Sequence, residues 1–216
     1  MTAASVLAVC RVDQLLPDSG SVGVTAIDKR PAEGPLTVRT LGVHGDVQAN
    51  RKHHGGPDKA VYAFADEDAA HFAGLLGRDV VPGMFGENLR TSGLDVTGAL
   101  IGERWLVGET LELEVTMPRT PCATFARRLG EPRWVARFQA EGRPGAYLRV
   151  LRQGPVAAGD PVVVASRPDD HDVSIGECFA GLEPDRARLL LASGVRLGAP
   201  VVKVARAAST REAATA

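Results

Sequence analysis

Short β-rich runs, separated by glycine and proline, occupy the first two-thirds of this chain and constrain its fold more than any other feature. The chain has 216 residues, including 24 glycines and 14 prolines. Alternating or β-branched runs favour strands, and glycine and proline between them favour turns. With few helical stretches, this pattern predicts a mainly β fold, either a compact β-barrel or a folded sheet. The predicted strands cover residues 6–10, 22–27, 36–41, 60–65, 111–116, 147–151 and 161–165.

Two helical regions are predicted between these strands. In residues 66–77, Asp66 can cap a helix and Gly77 can end it. A second region runs from about residue 124 to 141, and Gly130 and Pro132 break it. The sequence therefore predicts a few short helices packed on a larger sheet.

The sequence pattern changes after residue 165. A polar linker follows, and residues 174–180 and 183–192 are predicted to be helical. The tail from residue 206 is rich in alanine and polar side chains, so we expect it to be frayed. We therefore predict a β-barrel domain at 1–165 and a small helical C-terminal extension at 166–216.

Composition excludes several classes of protein. The net charge of −1 and the pI near 6.5 argue against binding to a nucleic acid polymer. No apolar run is long enough to span a membrane, and no basic region precedes an apolar run at the N-terminus, so we expect neither a membrane partner nor a signal peptide. The cysteines Cys10, Cys122 and Cys178 are too few and too scattered for a disulfide framework. A reducing cytoplasm is the simplest location.

Cys122 is the first candidate functional residue. It ends the sequence PRTPC at 118–122, where two prolines fix the local backbone. A thiolate is a nucleophile and a metal ligand, and nearby positive charge favours it. Arg119, Arg127 and Arg128 supply such charge. The alternative is a small buried cysteine after an edge strand, but the polar, proline-rich setting favours a functional role.

The segment KHHGGPDK at 52–59 combines glycine with basic side chains. Gly55 and Gly56 expose backbone amides that can close on anionic oxygens, and Lys59 adds charge just before a strand. Lys29, at the end of an earlier strand, can reach the same anion. The adjacent histidines suggest zinc, but no second pair follows at ligand spacing, so zinc is not predicted. An ordinary surface turn is the alternative.

The loop GMFGENL at 83–89 is the third candidate. It places Glu87 and Asn88 after Gly86, a residue with a permissive backbone. The Asn88 side chain can bond both a donor and an acceptor on a planar ligand. The alternative is a turn in which Glu87 and Asn88 satisfy local backbone groups.

Motifs of other enzyme classes are absent from the sequence. There is no Gly-x-Ser-x-Gly element of a serine hydrolase. There is also no Gly-x-Gly-x-x-Gly dinucleotide fingerprint and no Walker loop.

Together these motifs resemble the MOSC domain, the C-terminal module of molybdenum-cofactor sulfurases, and within that family the stand-alone YiiM-like group. The resemblance spans roughly residues 20–165 and rests on five motifs in order. They are TAIDK at 25–29, LGVHGDVQAN at 41–50, HGGPDKAV at 54–61, FGENL at 85–89 and PRTPC at 118–122.

The resemblance implies a MOSC-type β-barrel that binds the molybdenum cofactor, a pterin dithiolene with a phosphate. It implies that Cys122 supplies the protein sulfur to molybdenum. It also implies a set of residues that hold the pterin and its phosphate or line their pocket: Lys29, His54, Gly55, Gly56, Lys59, Phe85, Asn88 and Arg119.

The function implied is a molybdenum-dependent reductase of N-hydroxylated compounds, such as hydroxylaminopurines and amidoximes, with a role in detoxification. Glu87 and His54 are candidate proton donors. Because no flavin or haem motif is visible, a separate redox protein is expected to supply electrons. The alternative is a carrier that binds the molybdenum cofactor, or holds sulfur as a persulfide on Cys122.

Overall fold

The computed structural model describes residues 3–49 and 55–211, and it is mainly β with several short helices. The strands are β1 (Ser5–Val12), β2 (Leu16–Pro17), β3 (Val24–Thr25), β4 (Lys29–Pro31), β5 (Leu36–Arg39), β6 (Gly42–Val43), β7 (Val61–Ala65), β8 (Leu89–Ser92), β9 (Arg104–Val107), β10 (Leu111–Pro118), β11 (Ala146–Arg152), β12 (Gly154–Val156) and β13 (Val162–Ser166). The α-helices are α1 (Asp66–Leu76), α2 (Ala123–Leu129), α3 (Trp134–Glu141), α4 (Ile175–Ala180), α5 (Pro184–Ala192) and α6 (Ala199–Ser209). A short 3₁₀ turn covers Pro57–Lys59.

Eight of the strands form one sheet in the order β13-β9-β10-β11-β7-β8-β1-β4. All neighbours in it are antiparallel except β7 and β8. A single bridge between Ser5 and Pro161 brings β1 close to the start of β13. Strand pairing among the described residues nevertheless has two ends, at β13 and β4. The mainly β class is confirmed, whereas a closed barrel is not and stays a prediction.

Two hydrophobic clusters hold the sheet and helices together. The larger includes Trp105, Leu113 and Leu148 from the sheet, with Leu190 and Val201 from the C-terminal helices. The predicted boundary at residue 165 is therefore crossed by continuous apolar packing. The smaller cluster is aromatic and lies under α1, α2 and α3; it includes Phe64, Phe72, Phe85, Phe125, Trp134 and Phe138.

The predicted helices are found, with two differences. Gly130 does end α2 in the left-handed conformation, and α3 starts at Trp134. Asp66 does not cap α1: the N-cap is Ala65, and the Asp66 carboxylate instead accepts a hydrogen bond from Arg90 at 3.1 Å. Helix α6 was not predicted, and it includes residues 206–209 of the expected frayed tail.

A fully buried ion pair between Glu87 and Arg90 shapes the loop that precedes β8. Both side chains have no exposed surface, and Arg90 Nη2 lies 2.5 Å from Glu87 Oε1. Glu87 also accepts the backbone N–H groups of Gly83 and Phe85, at 2.8 and 3.1 Å. Arg90 donates further bonds to the carbonyl oxygens of residues 80 and 81. Complete pairing makes burial of both charges tolerable.

We expect Arg90→Leu to lower the free energy of unfolding by about 3–5 kcal/mol, because it leaves the Glu87 carboxylate buried without its counter-charge. Urea denaturation followed by circular dichroism measures this change. Arg188→Leu is the matched control, since Arg188 pairs with a largely exposed Asp185 and such pairs add little. Equal effects of the two substitutions would show that the buried pair does not stabilise the fold.

His171 lies buried in the segment between β13 and α4. Its Nδ1 accepts the backbone N–H of Val173 at 3.1 Å, and its Nε2 has no hydrogen-bond partner among the described residues. Burial lowers the pKa of His171 below its ordinary value of 6.5. At pH values near and just below 6.5, the unfolded chain therefore binds more protons at His171 than the folded chain does. The free energy of unfolding consequently falls as the pH falls below 6.5.

We expect His171→Asn to reduce the loss of unfolding free energy that the protein suffers between about pH 7 and pH 5.5, because asparagine keeps an acceptor but does not titrate. Denaturant titrations at several pH values measure the slope. His44→Asn, at an exposed position, is the control. If His171→Asn leaves the slope of unfolding free energy against pH unchanged, His171 is not the group responsible for the loss of stability.

Candidate functional site

A cavity of about 830 Å³ lies between the sheet and the C-terminal helices. Its walls come from segments that are far apart in sequence: the loop around β2 and β3, the ends of β7 and β10, the start of α2, and helices α4 and α6. Of the residues predicted to form the site, the cavity lining includes Lys29, Lys59, Phe85, Asn88, Arg119 and Cys122. The volume suits a ligand of cofactor size.

Cys122 is placed at the cavity by the end of β10. The strand ends at Pro118, and Cys122 occupies the extended N-cap position of α2. Its side chain is half-buried and carries a free thiol. The predicted location of Cys122 in a polar, proline-rich turn is what the structure has, and the thiol is available to a ligand in the cavity.

Arg119 is the most unusual side chain of the site. It is only 4% exposed, and its guanidinium carbon lies 3.7 Å from the centre of the Phe125 ring. Nη2 makes one long bond of 3.5 Å to the Phe85 carbonyl, and Nη1 has no hydrogen-bond partner among the described residues. A buried donor without a partner is costly, so an anion bound beside Arg119 would be strongly favoured.

Lys59 adds a second cation to the cavity. It ends the 3₁₀ turn, and its Nζ lies 5.7 Å from the centre of the Tyr147 ring. Burial lowers the pKa of Lys59. An anion beside Nζ would offset the cost of that burial and favour the protonated form.

Lys29 and Asn88 line the cavity, but other protein groups use their polar atoms. Lys29 Nζ lies 2.6 Å from the Asp46 carboxylate. Asn88 Nδ2 donates to Asp46 and to the Cys10 carbonyl at 2.8 and 3.2 Å, and its Oδ1 accepts the Tyr62 N–H. The expectation that the Asn88 amide bonds a planar ligand therefore lacks support, because that amide links three parts of the protein.

The other predicted site residues take different places. Glu87 is not among the residues that line the cavity, and its ion pair with Arg90 gives it a structural role. Gly55 and Gly56 are also outside the lining; Gly55 packs against Gln48, which does line the cavity. Phe85 belongs to the aromatic cluster and contributes its carbonyl. His54 lies outside the described residues.

The loop after β2 and the C-terminal helices were not predicted to contribute to the cavity. Arg127 makes a two-bond pair with Asp18, at 2.7 Å for each bond, which ties the loop after β2 to helix α2. That hydrogen-bonded pair lowers the pKa of Asp18 to about 2. Helices α4 and α6 contribute Phe179 and Val201, among other apolar residues. Only the spacing of small apolar residues in α6 could have indicated this.

The chemistry of these side chains fits a sulfur-ligated metal that carries an anionic group. Cys122 offers one soft thiolate, and Arg119 and Lys59 offer cationic donors in the same cavity. Among the described residues, no group of three or more histidine, cysteine or acidic side chains could hold a metal by itself. A metal bound here would therefore bring most of its own ligands, as a metal–pterin cofactor does.

Comparison with known proteins places the chain in a family. Residues 50–163 match the family model of the MOSC domain. The chain is 32% identical over 178 residues to the protein YiiM of Escherichia coli, an alignment that covers 79% of each chain. It is 35% identical over 154 residues to YflK of Bacillus subtilis, covering 71% of this chain and 69% of that protein. The chain therefore belongs to the MOSC-domain family.

Solved structures support the same fold. The crystal structure of YiiM from Geobacillus stearothermophilus aligns with a TM-score of 0.76 over 94% of this chain and 98% of that chain, at 23% identity. YiiM from Escherichia coli aligns with a TM-score of 0.69 over 82% and 86%, at 26% identity. A fungal protein of Gibberella moniliformis named "Reductase" is 31% identical over 67% of this chain, which corresponds to 26% of that longer protein.

No helix in the described part of the chain is both long and apolar enough to cross a bilayer.

We expect sulfate to bind in the cavity. Lys59→Met should lower the affinity for sulfate about tenfold, because a hydrogen bond to a charged group contributes about 1.5 kcal/mol. Binding should also weaken as pH rises, since the lowered pKa of Lys59 removes its charge earlier than that of an exposed lysine. Isothermal titration calorimetry measures both effects. Lys203→Met, at an exposed position on α6, is the control. Equal affinities in both variants would remove Lys59 from the anion site.

Proposed function

We propose that this protein is a molybdenum-cofactor-dependent reductase of N-hydroxylated compounds. The observation that carries the proposal is one cavity that combines a free thiol, a buried guanidinium with a donor that has no partner in the described chain, and a wide apolar wall. Membership of the MOSC-domain family and the reductase name of one relative support a cofactor-related oxidoreductase. The individual roles below are our proposals.

The residues of the cavity would hold the cofactor at two points. Cys122 Sγ would bind the metal as a thiolate, and Arg119 and Lys59 would hold the anionic part. When bound, the cofactor would supply two-electron redox chemistry at its metal. Aromatic rings surround the buried Arg119 guanidinium, and this low-polarity setting would strengthen its interaction with a bound anion.

The net reaction breaks the N–O bond of the substrate. Two electrons and two protons convert the hydroxylamine group into an amine and release the oxygen as water. The electrons come from a separate redox protein. The protein has to deliver protons as well, and His54 remains our candidate donor from the sequence, whereas the buried pairing of Glu87 does not favour it.

The apolar wall favours this reductase over a carrier of cofactor or persulfide sulfur. A carrier needs the thiol and the cationic group but no room for a substrate. In this cavity Phe179, Leu182 and Val201 extend the lining well beyond the Cys122 turn. That additional space suits a substrate beside the cofactor.

We expect protein produced with molybdate in a host that makes the cofactor to contain close to one molybdenum per chain, and Cys122→Ala to lose most of it. Mass spectrometry of the metal measures the content, and reduction of 6-N-hydroxylaminopurine measures activity. Cys10→Ala is the control, because that buried thiol lies outside the cavity lining and burial raises its pKa to about 12.

The metal content and activity of Cys122→Ala test the role of the thiolate, and the activity of the loaded wild-type protein distinguishes the reductase from the carrier. Loss of molybdenum and of activity in Cys122→Ala, with a normal circular dichroism spectrum, supports a metal-binding thiolate. Full activity in Cys122→Ala would refute that role. Stoichiometric molybdenum without reduction of any N-hydroxylated compound would favour the carrier.

A further inference from the structure

Helix α6 lines the cavity with uncharged side chains. Pro200, Val201 and Val204 lie in the lining, together with Leu182 from the turn between α4 and α5. Val201 is buried and packs in the larger hydrophobic cluster, whereas Val204 is 48% exposed at the cavity. All the lining residues that the C-terminal helices contribute to this cavity, within the described chain, are uncharged.

The charged lining residues lie on other segments. The basic lining residues Lys29, Lys59, Arg119 and Arg127 come from β4, the turn before β7, the end of β10 and helix α2. The one acidic lining residue in the described part of the cavity, Asp18, is already paired with Arg127. The cavity therefore combines cationic side chains suited to an anionic cofactor with a wall on the C-terminal helices that contributes no charged lining residue within the described chain, so a charged ligand group buried against that wall would be costly.

The side chain of Arg149 links the segment before α6 to the turn that carries Lys59 and to strand β10. Arg149 Nε donates to Asp58 at 2.9 Å and Nη1 to Glu114 at 2.5 Å, while Nη2 donates to the carbonyl of Arg196, just before α6. A Cβ on Gly198 would lie 2.6 Å from Met117 Cε, so glycine allows the helix to start in close contact with β10. The position of the wall relative to the cationic part is thus set before any ligand binds.

We propose that α6 is the specificity-determining wall for the body of the substrate: Val201 and Val204 select N-hydroxylated compounds whose body is an uncharged apolar ring or chain. This inference rests on the proposed function for the reacting group, but the preference for an apolar body is a property of the wall alone. A ring buried against these residues gains affinity in proportion to the apolar area removed from water.

The test compares ligands that carry the same polar group but differ in the substituent attached to it, which is either phenyl or methyl. Calorimetry without a reductant measures the affinity of the cofactor-loaded protein for benzamidoxime and acetamidoxime, and for benzamide and acetamide, which lack the N-hydroxyl group. We expect the phenyl member of each pair to bind at least about tenfold more tightly. Val204→Glu should reduce that preference by on the order of tenfold, because it places a charge against the ring.

Two further variants control for folding and volume. Val204→Met should keep the phenyl preference, because it keeps the wall apolar. Val202→Glu, on the same helix but outside the cavity lining, should also keep it. Equal affinity for phenyl and methyl members, or a preference that Val204→Glu leaves unchanged, would overturn the inference.

The outcomes also separate this inference from the proposed function. If the preference for phenyl ligands depends on Val204 in both pairs but neither amidoxime is reduced, ligand selection by α6 is supported and the proposed reductase activity is refuted. If both amidoximes are reduced but phenyl and methyl ligands bind equally well in all variants, the reductase activity is supported and ligand selection by α6 is refuted.

Discussion

The buried ion pair of Glu87 and Arg90 is the interaction on which the rest of this structure depends. It orders the loop between α1 and β8, because Glu87 accepts two amide N–H groups of that loop and Arg90 donates to two of its carbonyls. That loop places Phe85 in the aromatic cluster and directs its carbonyl toward Arg119. A pair of fully buried charges stabilises a fold only when every remaining donor and acceptor is satisfied, and here the loop backbone satisfies them.

Arg119 shows the opposite balance. Its guanidinium is almost as deeply buried as that of Arg90, yet aromatic rings take the place of a carboxylate, and one nitrogen has no partner among the described residues. Cation–π contacts recover part of the lost hydration but do not replace hydrogen bonds to an anion. The fold thus leaves the Arg119 guanidinium poorly satisfied in a cavity while it fully satisfies the Arg90 guanidinium in β8. This contrast is expected where the missing partner is a ligand.

The sequence predicted the framework of the fold better than the roles of its polar residues. Alternating strands and the break at Gly130 are local signals, and the structure places Cys122 of the PRTPC turn in the lining of a cavity. For Asn88 and Glu87 the sequence left ligand binding and backbone bonding both open, and in the structure both side chains bond within the protein. The residue type of a polar side chain does not reveal which distant backbone group it will meet. Helix α6 was missed because its buried face consists mainly of alanine and valine, and only packing against α5 and the sheet distinguishes it from a frayed tail.

The two parts of the cavity have different origins in the chain, and this has a consequence for how the site can vary. The thiol and the cations lie on turns next to the sheet and the aromatic cluster, and they are the groups that would hold the cofactor, so substitutions there change that chemistry. The apolar wall lies on a helix held by one guanidinium and by its own small buried residues. Its side chains at the cavity, such as the half-exposed Val204, can change without loss of core packing. The fold therefore allows the body of the ligand to be selected independently of the groups that would hold a metal.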